Sequence, residues 1–193
     1  MNDSRNNNTR RFVFMDRDGV INAERGEYTM TVGQWEWAPG AFEGIKKLTD
    51  AGFNIIVITN QACIAKGLQT ETGLAELHKF MLDTITRMGG KILRIYHCPH
   101  QTPDNCSCRK PKPGMIVQAA EDYDIDVSGT FMIGDSLRDM EAGRRAGTRT
   151  ILIDSGPGAD SSRTQFEPGE FRADNLSDAV DIVLRETQRM KKS

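Results

Sequence analysis

The chain has 193 residues, 38% of them hydrophobic, with 25 Lys and Arg against 27 Asp and Glu. That suffices for one good core and is too short for two domains of ordinary size, so one folded domain over 11–193 is expected. A net charge of −2, without a block of like charges, gives no electrostatic footprint for nucleic acid, and no apolar run nears the roughly 18 residues of a membrane span.

Residues 1–10 are polar, lack the apolar stretch of a signal peptide and have nothing to bury against the entropy of ordering. They read as a disordered tail on a soluble, cytoplasmic protein, with neither a nucleic-acid nor a membrane partner expected. Next comes an apolar strand, 11–15, which delivers Asp16 and Asp18 into a turn at Gly19. Residues just past a strand end can turn two carboxylates toward one point outside a sheet. That suits Asp16 as a nucleophile and Asp18 as a proton-handling group. A solvated turn is the plain alternative, because Asp and Gly are ordinary turn formers.

Further short apolar runs at 54–59, 92–96, 130–134 and 149–153 alternate with segments of helical spacing at 41–51, 71–88, 114–123, 137–146 and 177–190. Gly52, the Gly89-Gly90 pair and Gly147 punctuate the helix ends. The alternation predicts an α/β fold, a doubly wound parallel sheet with helices on both faces. In 71–88, Leu74, Leu77, Met81, Leu82 and Ile85 form one apolar stripe, a core face; His78 reads there as a partly exposed or hydrogen-bonded residue and not a ligand. The stretch 152–172, with Gly156-Pro157-Gly158, reads as a mobile loop before the last helix.

Three of the four cysteines lie within eleven residues. Cys98-Pro99-His100 and Cys106-Ser107-Cys108 present four soft or borderline ligands in two clamps, which suits tetrahedral zinc. With all four positions supplied by protein, such a zinc is structural; buried or redox cysteines are the alternative. Cys63 stands outside the cluster. Arg109 and Lys110 follow Cys108 directly, so folding the loop on a metal would aim both cations.

Four segments in order, Asp16-Arg17-Asp18-Gly19, the strand ending Thr59-Asn60-Gln61, Arg109-Lys110-Pro111 and Gly134-Asp135-Ser136, resemble the motifs of the haloacid dehalogenase superfamily of aspartate-based phosphatases. The resemblance spans about residues 11–154 and implies a Rossmann-like domain. The short segment 23–30 stands where this superfamily carries a flap, so a capless, open site is implied. By resemblance, Asp16 becomes the transient aspartyl-phosphate and Asp18 serves as general acid and then general base. Thr59 and Lys110 hold the phosphoryl group, and Asp16, Asp135 and the backbone carbonyl of Asp18 ligate Mg²⁺. Asp139 is an orienting acid or only a helix N-terminal acid that complements the dipole.

A charge count supports the cation. Three ionised carboxylates and a phosphate dianion repel strongly, each like-charge pair costing about 4 kcal/mol at 4 Å and an effective dielectric near 20, so oxygen-liganded Mg²⁺ and Lys110 are both needed. The zinc loop joined to Arg109-Lys110-Pro111 resembles two groups of the superfamily, the heptose bisphosphate phosphatases and the bacterial histidinol-phosphate phosphatases. The residues after Thr59 and Gly134 look closer to the first. This implies a phosphomonoesterase of a small sugar bisphosphate, releasing the C7 phosphate, and a monomer. Substrate contacts are expected from Glu24, Arg25, Gly26 and Glu27 of the flap, from Asn60 and Gln61, from Arg109 and from Ser136. Histidinol phosphate remains the alternative, since Glu24 and Glu27 suit an amine; a weaker likeness points to polynucleotide 3′-phosphatases.

Overall fold

The computed structural model describes residues 10–154 and 168–192. Six parallel strands form the sheet: β1 (Arg11–Met15), β2 (Phe53–Asn60), β3 (Ile92–Cys98), β4 (Phe131–Gly134), β5 (Arg149–Ile153) and β6 (Glu170–Ala173), in the order β3-β2-β1-β4-β5-β6. The helices are α1 (Ala41–Asp50), α2 (Glu71–Arg87), α3 (Gly114–Tyr123), α4 (Leu137–Ala146) and α5 (Leu176–Met190). Apart from Arg10, the tail expected over 1–10 lies outside the described residues. Among the described residues no helix is long and apolar enough to cross a membrane.

The sheet is buried on both faces because its strands alternate between two apolar cores. Val13 and Met15 of β1, with Ile55 and Val57 of β2, pack with Ile45 of α1, Leu77 and Met81 of α2 and Val180 of α5. Phe12, Phe14, Ile56 and Ile58 point the other way, to Met115 and Ile116 of α3 and Ala142 of α4. This is the two-residue side-chain period of a strand covered on both sides. Each large apolar side chain so buried contributes about 1.5–3 kcal/mol relative to exposure. Helices α1 and α5 meet closely at Gly44, where a Cβ would lie 2.9 Å from the Leu176 side chain and 3.0 Å from its carbonyl oxygen.

Two expectations are corrected. The segment 152–172 is not one loop: Leu152 and Ile153 complete β5, and β6 pairs Thr150 with Glu170 through Ile153 with Ala173; residues 155–167 lie outside the described ones. Strand β3 runs two residues beyond 96, because Thr59 pairs with His97 and Asn60 with Cys98. The first metal-loop cysteine is therefore a residue of the sheet.

The strand order reverses at β1, which pairs with β2 on one side and β4 on the other. Such a switch point opens a crevice at the carboxyl ends of the strands, where ligands bind in open α/β sheets.

Candidate active site

Asp16 leaves β1 still anchored, its N–H donating to the Ile133 carbonyl at 2.9 Å, and Asp135 leaves β4 beside it. Gly19, at φ +76°, lies so close to Asp135 that a Cβ there would meet its Oδ2 at 1.8 Å. The left-handed backbone and this approach both require glycine. The Arg17 carbonyl accepts from the amides of Ile21 at 2.8 Å and Asn22 at 3.1 Å, closing the turn that follows Asp16 and carries Asp18.

Lys110, only 2% exposed, reaches Asp16 Oδ1 at 2.8 Å, Asp139 Oδ1 at 2.6 Å and the Ile58 carbonyl at 2.8 Å. Its backbone is clamped by Asn60, whose Oδ1 accepts from the Lys110 N–H and whose Nδ2 donates to the Lys110 carbonyl, both at 3.1 Å. Asp139 therefore orients the lysine and also caps α4: its Oδ2 accepts from Ser136 Oγ at 2.6 Å and Ser136 N–H at 3.1 Å. Both roles considered from its place in the sequence are present.

Burial raises the Asp16 pKa to about 7 against the pull of Lys110, with Asp139 and Asp18 adding to the rise. Asp135 is pushed up to about 8 by burial and then by Asp16 and Asp139. Burial opposes the charge on Lys110, but Asp139 and Asp16 outweigh it and hold its pKa above the ordinary lysine value. Ligand oxygens of Asp16, Asp135 and Asp139 lie within 4.8 Å of one another, so three acids share one lysine and the cluster is short of positive charge. That donor set fits an oxygen-liganded divalent cation. The Asp16 Oδ1 accepts from the Arg17 N–H at 2.7 Å and meets Lys110 Nζ at 2.8 Å.

Asp18 stands apart from that cluster. Arg17 grips it through Nη2, at 2.7 Å from Oδ1 and 3.0 Å from Oδ2, while Asn22 Nδ2 reaches Oδ1 at 2.9 Å and Gln61 Nε2 reaches Oδ2 at 2.8 Å. Burial favours its neutral form, but the Arg17 cation and these hydrogen bonds outweigh burial and lower its pKa. Arg17 carries no distinguishing signal in the sequence beyond standing between two aspartates. His78, expected to be partly exposed or hydrogen-bonded, is buried and is its partner.

A cleft of about 1150 Å³ opens over these groups, lined by Asp16, Asp18, Lys110, Asp135, Ser136 and Asp139, by the flap residues Glu24, Arg25, Gly26, Glu27 and Tyr28, and by Asn60, Lys66, Arg109 and Arg138. Thr59 and Gln61 do not line it: Thr59 is fully buried and its Oγ1 accepts from Gln61 Nε2 at 2.9 Å, so both sit behind Asp18. Asn60 reaches the wall with its amide committed to Lys110. Lys66, over the Tyr28 ring at 5.0 Å, escaped the sequence reading because a lone loop lysine carries no pattern.

Beside the cleft, ligand atoms of Cys98, His100, Cys106 and Cys108 also converge within 4.8 Å. The Cys108 Sγ is 3.1 Å from Cys98 Sγ and 3.3 Å from His100 Nδ1. This is the soft N/S set that suits zinc. Arg109 is tied to the same loop by Nη1, which donates to the His100 carbonyl at 3.1 Å.

Residues 107–179 match the HAD-hydrolase-like family model. A D-glycero-beta-D-manno-heptose-1,7-bisphosphate 7-phosphatase of Pseudomonas aeruginosa is 35% identical over 177 residues, 92% of this chain and 99% of the relative. A D-glycero-alpha-D-manno-heptose-1,7-bisphosphate 7-phosphatase of Photorhabdus laumondii is 41% identical over 153 residues, 75% of this chain and 82% of the relative. A crystal structure of D,D-heptose 1,7-bisphosphate phosphatase from B. bronchiseptica, complexed with magnesium and phosphate, superposes with a TM-score of 0.86 at 33% identity, covering 91% of this chain and 99% of that one. With the motifs, the sheet order and the acidic cluster in place, this chain belongs to the heptose-1,7-bisphosphate 7-phosphatase family of haloacid dehalogenase-like phosphatases.

Proposed function

We propose that this protein removes the C7 phosphate of D-glycero-D-manno-heptose 1,7-bisphosphate, a step in making the activated heptose of bacterial glycans such as the lipopolysaccharide core. The observation that carries the reading is the distribution of charge in the cleft. Lys110 stands at the floor between Asp16 and Asp139, while Lys66, Arg109 and Arg138 line the wall. A bisphosphate brings two anionic groups, one for the floor and one for those cations. Histidinol phosphate would instead call on carboxylates for its amine; Glu24 spends one oxygen on the Gly26 N–H at 2.6 Å and Glu27 lines the cleft, so it is the three wall cations that favour the bisphosphate.

In this reading Asp16 attacks phosphorus, and Asp18, ionised in the free site, takes up a proton from solvent as the anionic substrate binds and gives it to the departing sugar oxygen. Asp18 then takes a proton from the water that attacks the aspartyl-phosphate, which frees phosphate and restores Asp16. Lys110 neutralises phosphoryl charge from a fixed position and brings no reorganisation cost at the moment of reaction. Asp16, Asp135 and the Asp18 carbonyl would hold Mg²⁺, which would supply further charge neutralisation when bound. Cys98, His100, Cys106 and Cys108 would hold a zinc whose ligands all come from protein, a structural and not a hydrolytic role.

The test is phosphate release from heptose 1,7-bisphosphate, histidinol phosphate and a 3′-phosphorylated oligonucleotide, with the position of cleavage read by NMR. The heptose ester is expected to lead in kcat/KM by tenfold or more, with loss at C7. Histidinol phosphate leading by that margin, or cleavage at C1, rejects the assignment.

A further inference from the structure

Arg17 is among the most deeply buried side chains of the protein, at 1% exposure, and the chemistry proposed above uses only its neighbours. Its guanidinium makes three contacts to Asp18, through Nε at 3.2 Å and Nη2 at 2.7 and 3.0 Å. The remaining nitrogen, Nη1, lies 3.3 Å from His78 Nε2 on α2, and the guanidinium carbon sits 5.8 Å from the Trp35 ring centroid. Burying an arginine is costly unless its donors are satisfied, and here each of Nε, Nη1 and Nη2 has a partner. His78 is the partner that must be an acceptor. Burial first, and then the Arg17 cation, push its pKa down to about 3, so the ring is neutral and offers Nε2 as a lone pair.

Neighbouring side chains in a strand point apart; only the turn at 17–22 lets Arg17 fold back on Asp18. Asn22 and Gln61 each hold one oxygen of that carboxylate, whereas the guanidinium spans both. A planar fork sets the carboxylate plane as well as its charge, which a point-charge ammonium does not.

We propose that Arg17 is a positioning residue for Asp18, and that His78, reaching across from α2, holds Arg17 in place. The inference rests on the reading of Asp18 as proton donor to the leaving oxygen. Its consequence is selective: an alkyl ester, whose oxygen departs only with a proton, depends on the placement of Asp18, and an activated aryl ester, whose oxygen departs as a stable anion, depends on it much less.

The experiment compares kcat/KM for heptose 1,7-bisphosphate and p-nitrophenyl phosphate in the wild type, Arg17→Lys, His78→Leu, His78→Gln and Asp18→Asn. Arg17→Lys keeps the cation and loses the fork, and it is expected to lower the alkyl-to-aryl ratio by roughly 10–100-fold, at or below the roughly 100-fold lower end of what a general acid contributes, as befits a misplaced acid and not a missing one. His78→Leu should move the ratio the same way by less, and His78→Gln, which restores an acceptor, should recover most of it. An unchanged ratio in Arg17→Lys, or equal losses on both esters, overturns the positioning role of Arg17. If the arginine variants do not fold, the leucine and glutamine variants decide alone, and equal ratios in the two reject the inference. Asp18→Asn separates the two levels: if it slows both esters equally, the acid assignment of Asp18 fails, and if it is selective while Arg17→Lys is not, only the present inference fails.

Discussion

At the scale of single residues, the site separates its acids by what surrounds them. Asp18 is neutralised by Arg17, and Asp139 is spent on Lys110 and Ser136. Asp16 and Asp135 are left with raised pKa values and a need for positive charge. Asp16→Asn keeps the shape and removes the proposed nucleophile, so turnover with Mg²⁺ is expected to fall to background while the thermal midpoint stays at or above that of the wild type. Appreciable remaining turnover in single-turnover assays would overturn the covalent mechanism. Arg109 is held at the cleft wall by the His100 carbonyl. Its change to Ala is expected to weaken kcat/KM for the bisphosphate, relative to simple monophosphates, by about 1.5–3 kcal/mol, the range for a hydrogen bond to a charged group. An unaltered ratio removes Arg109 from recognition.

At the scale of elements, the loop after β3 joins the sheet to the lysine. Cys98 is the last residue of β3, Lys112 Nζ donates to the carbonyls of Asn105 at 3.0 Å and Cys106 at 2.8 Å, and Asn60 at the end of β2 clamps Lys110. Structural zinc contributes about 10 kcal/mol of apparent binding energy, comparable with the whole stability of a domain. Cys106→Ser is expected to lower both bound zinc, measured by elemental analysis, and the thermal midpoint. Wild-type protein purified without chelator that carries no zinc, with thiols that react freely, would refute the metal loop. The ends of the elements show where local pattern stops being informative. The helix over 114–123 was readable to the residue, because apolar spacing and its flanking turn agree. Strand β6, Glu170-Phe171-Arg172-Ala173, is short and lies at the sheet edge, where half-exposed polar residues carry no alternation. His97 and Cys98 extend β3 only because β2 supplies their partners.

For the whole molecule, the acidic cluster links stability to pH and to metal. With Mg²⁺ withheld, burial holds the pKa of Asp16 up at about 7 and that of Asp135 at about 8, well above the ordinary carboxylate range. Between these limits the folded state binds more protons than the unfolded state, so its stability falls as pH rises through that window. Asp18, whose folded pKa is lowered, acts in the opposite sense and loses its contribution only as the pH falls below the ordinary carboxylate range. Calorimetry without Mg²⁺ should therefore show the midpoint falling from about pH 5 to about pH 8, and the stabilisation by added Mg²⁺ growing over the same interval, because cation and proton compete for the same oxygens. A midpoint that rises with pH in the absence of Mg²⁺ would show that these carboxylates are not held uncompensated.

The sequence by itself determined the sheet, its helices and the acids and lysine that meet in the cleft. Buried parallel strands must be continuous apolar runs, and Asp16, Asp135 and Lys110 stand at strand ends or beside a Cys/His loop whose spacing is visible in the chain. Only the tertiary structure decided how the acids divide their partners. Arg17 meets His78, 61 positions away, Lys110 chooses Asp139 as well as Asp16, and Thr59 and Gln61 turn inward behind Asp18 while Lys66 lines the cleft. Such pairings depend on which groups become buried together, since a buried charge has to find its counter-charge, and that is settled by packing across the sheet and not by neighbours along the chain.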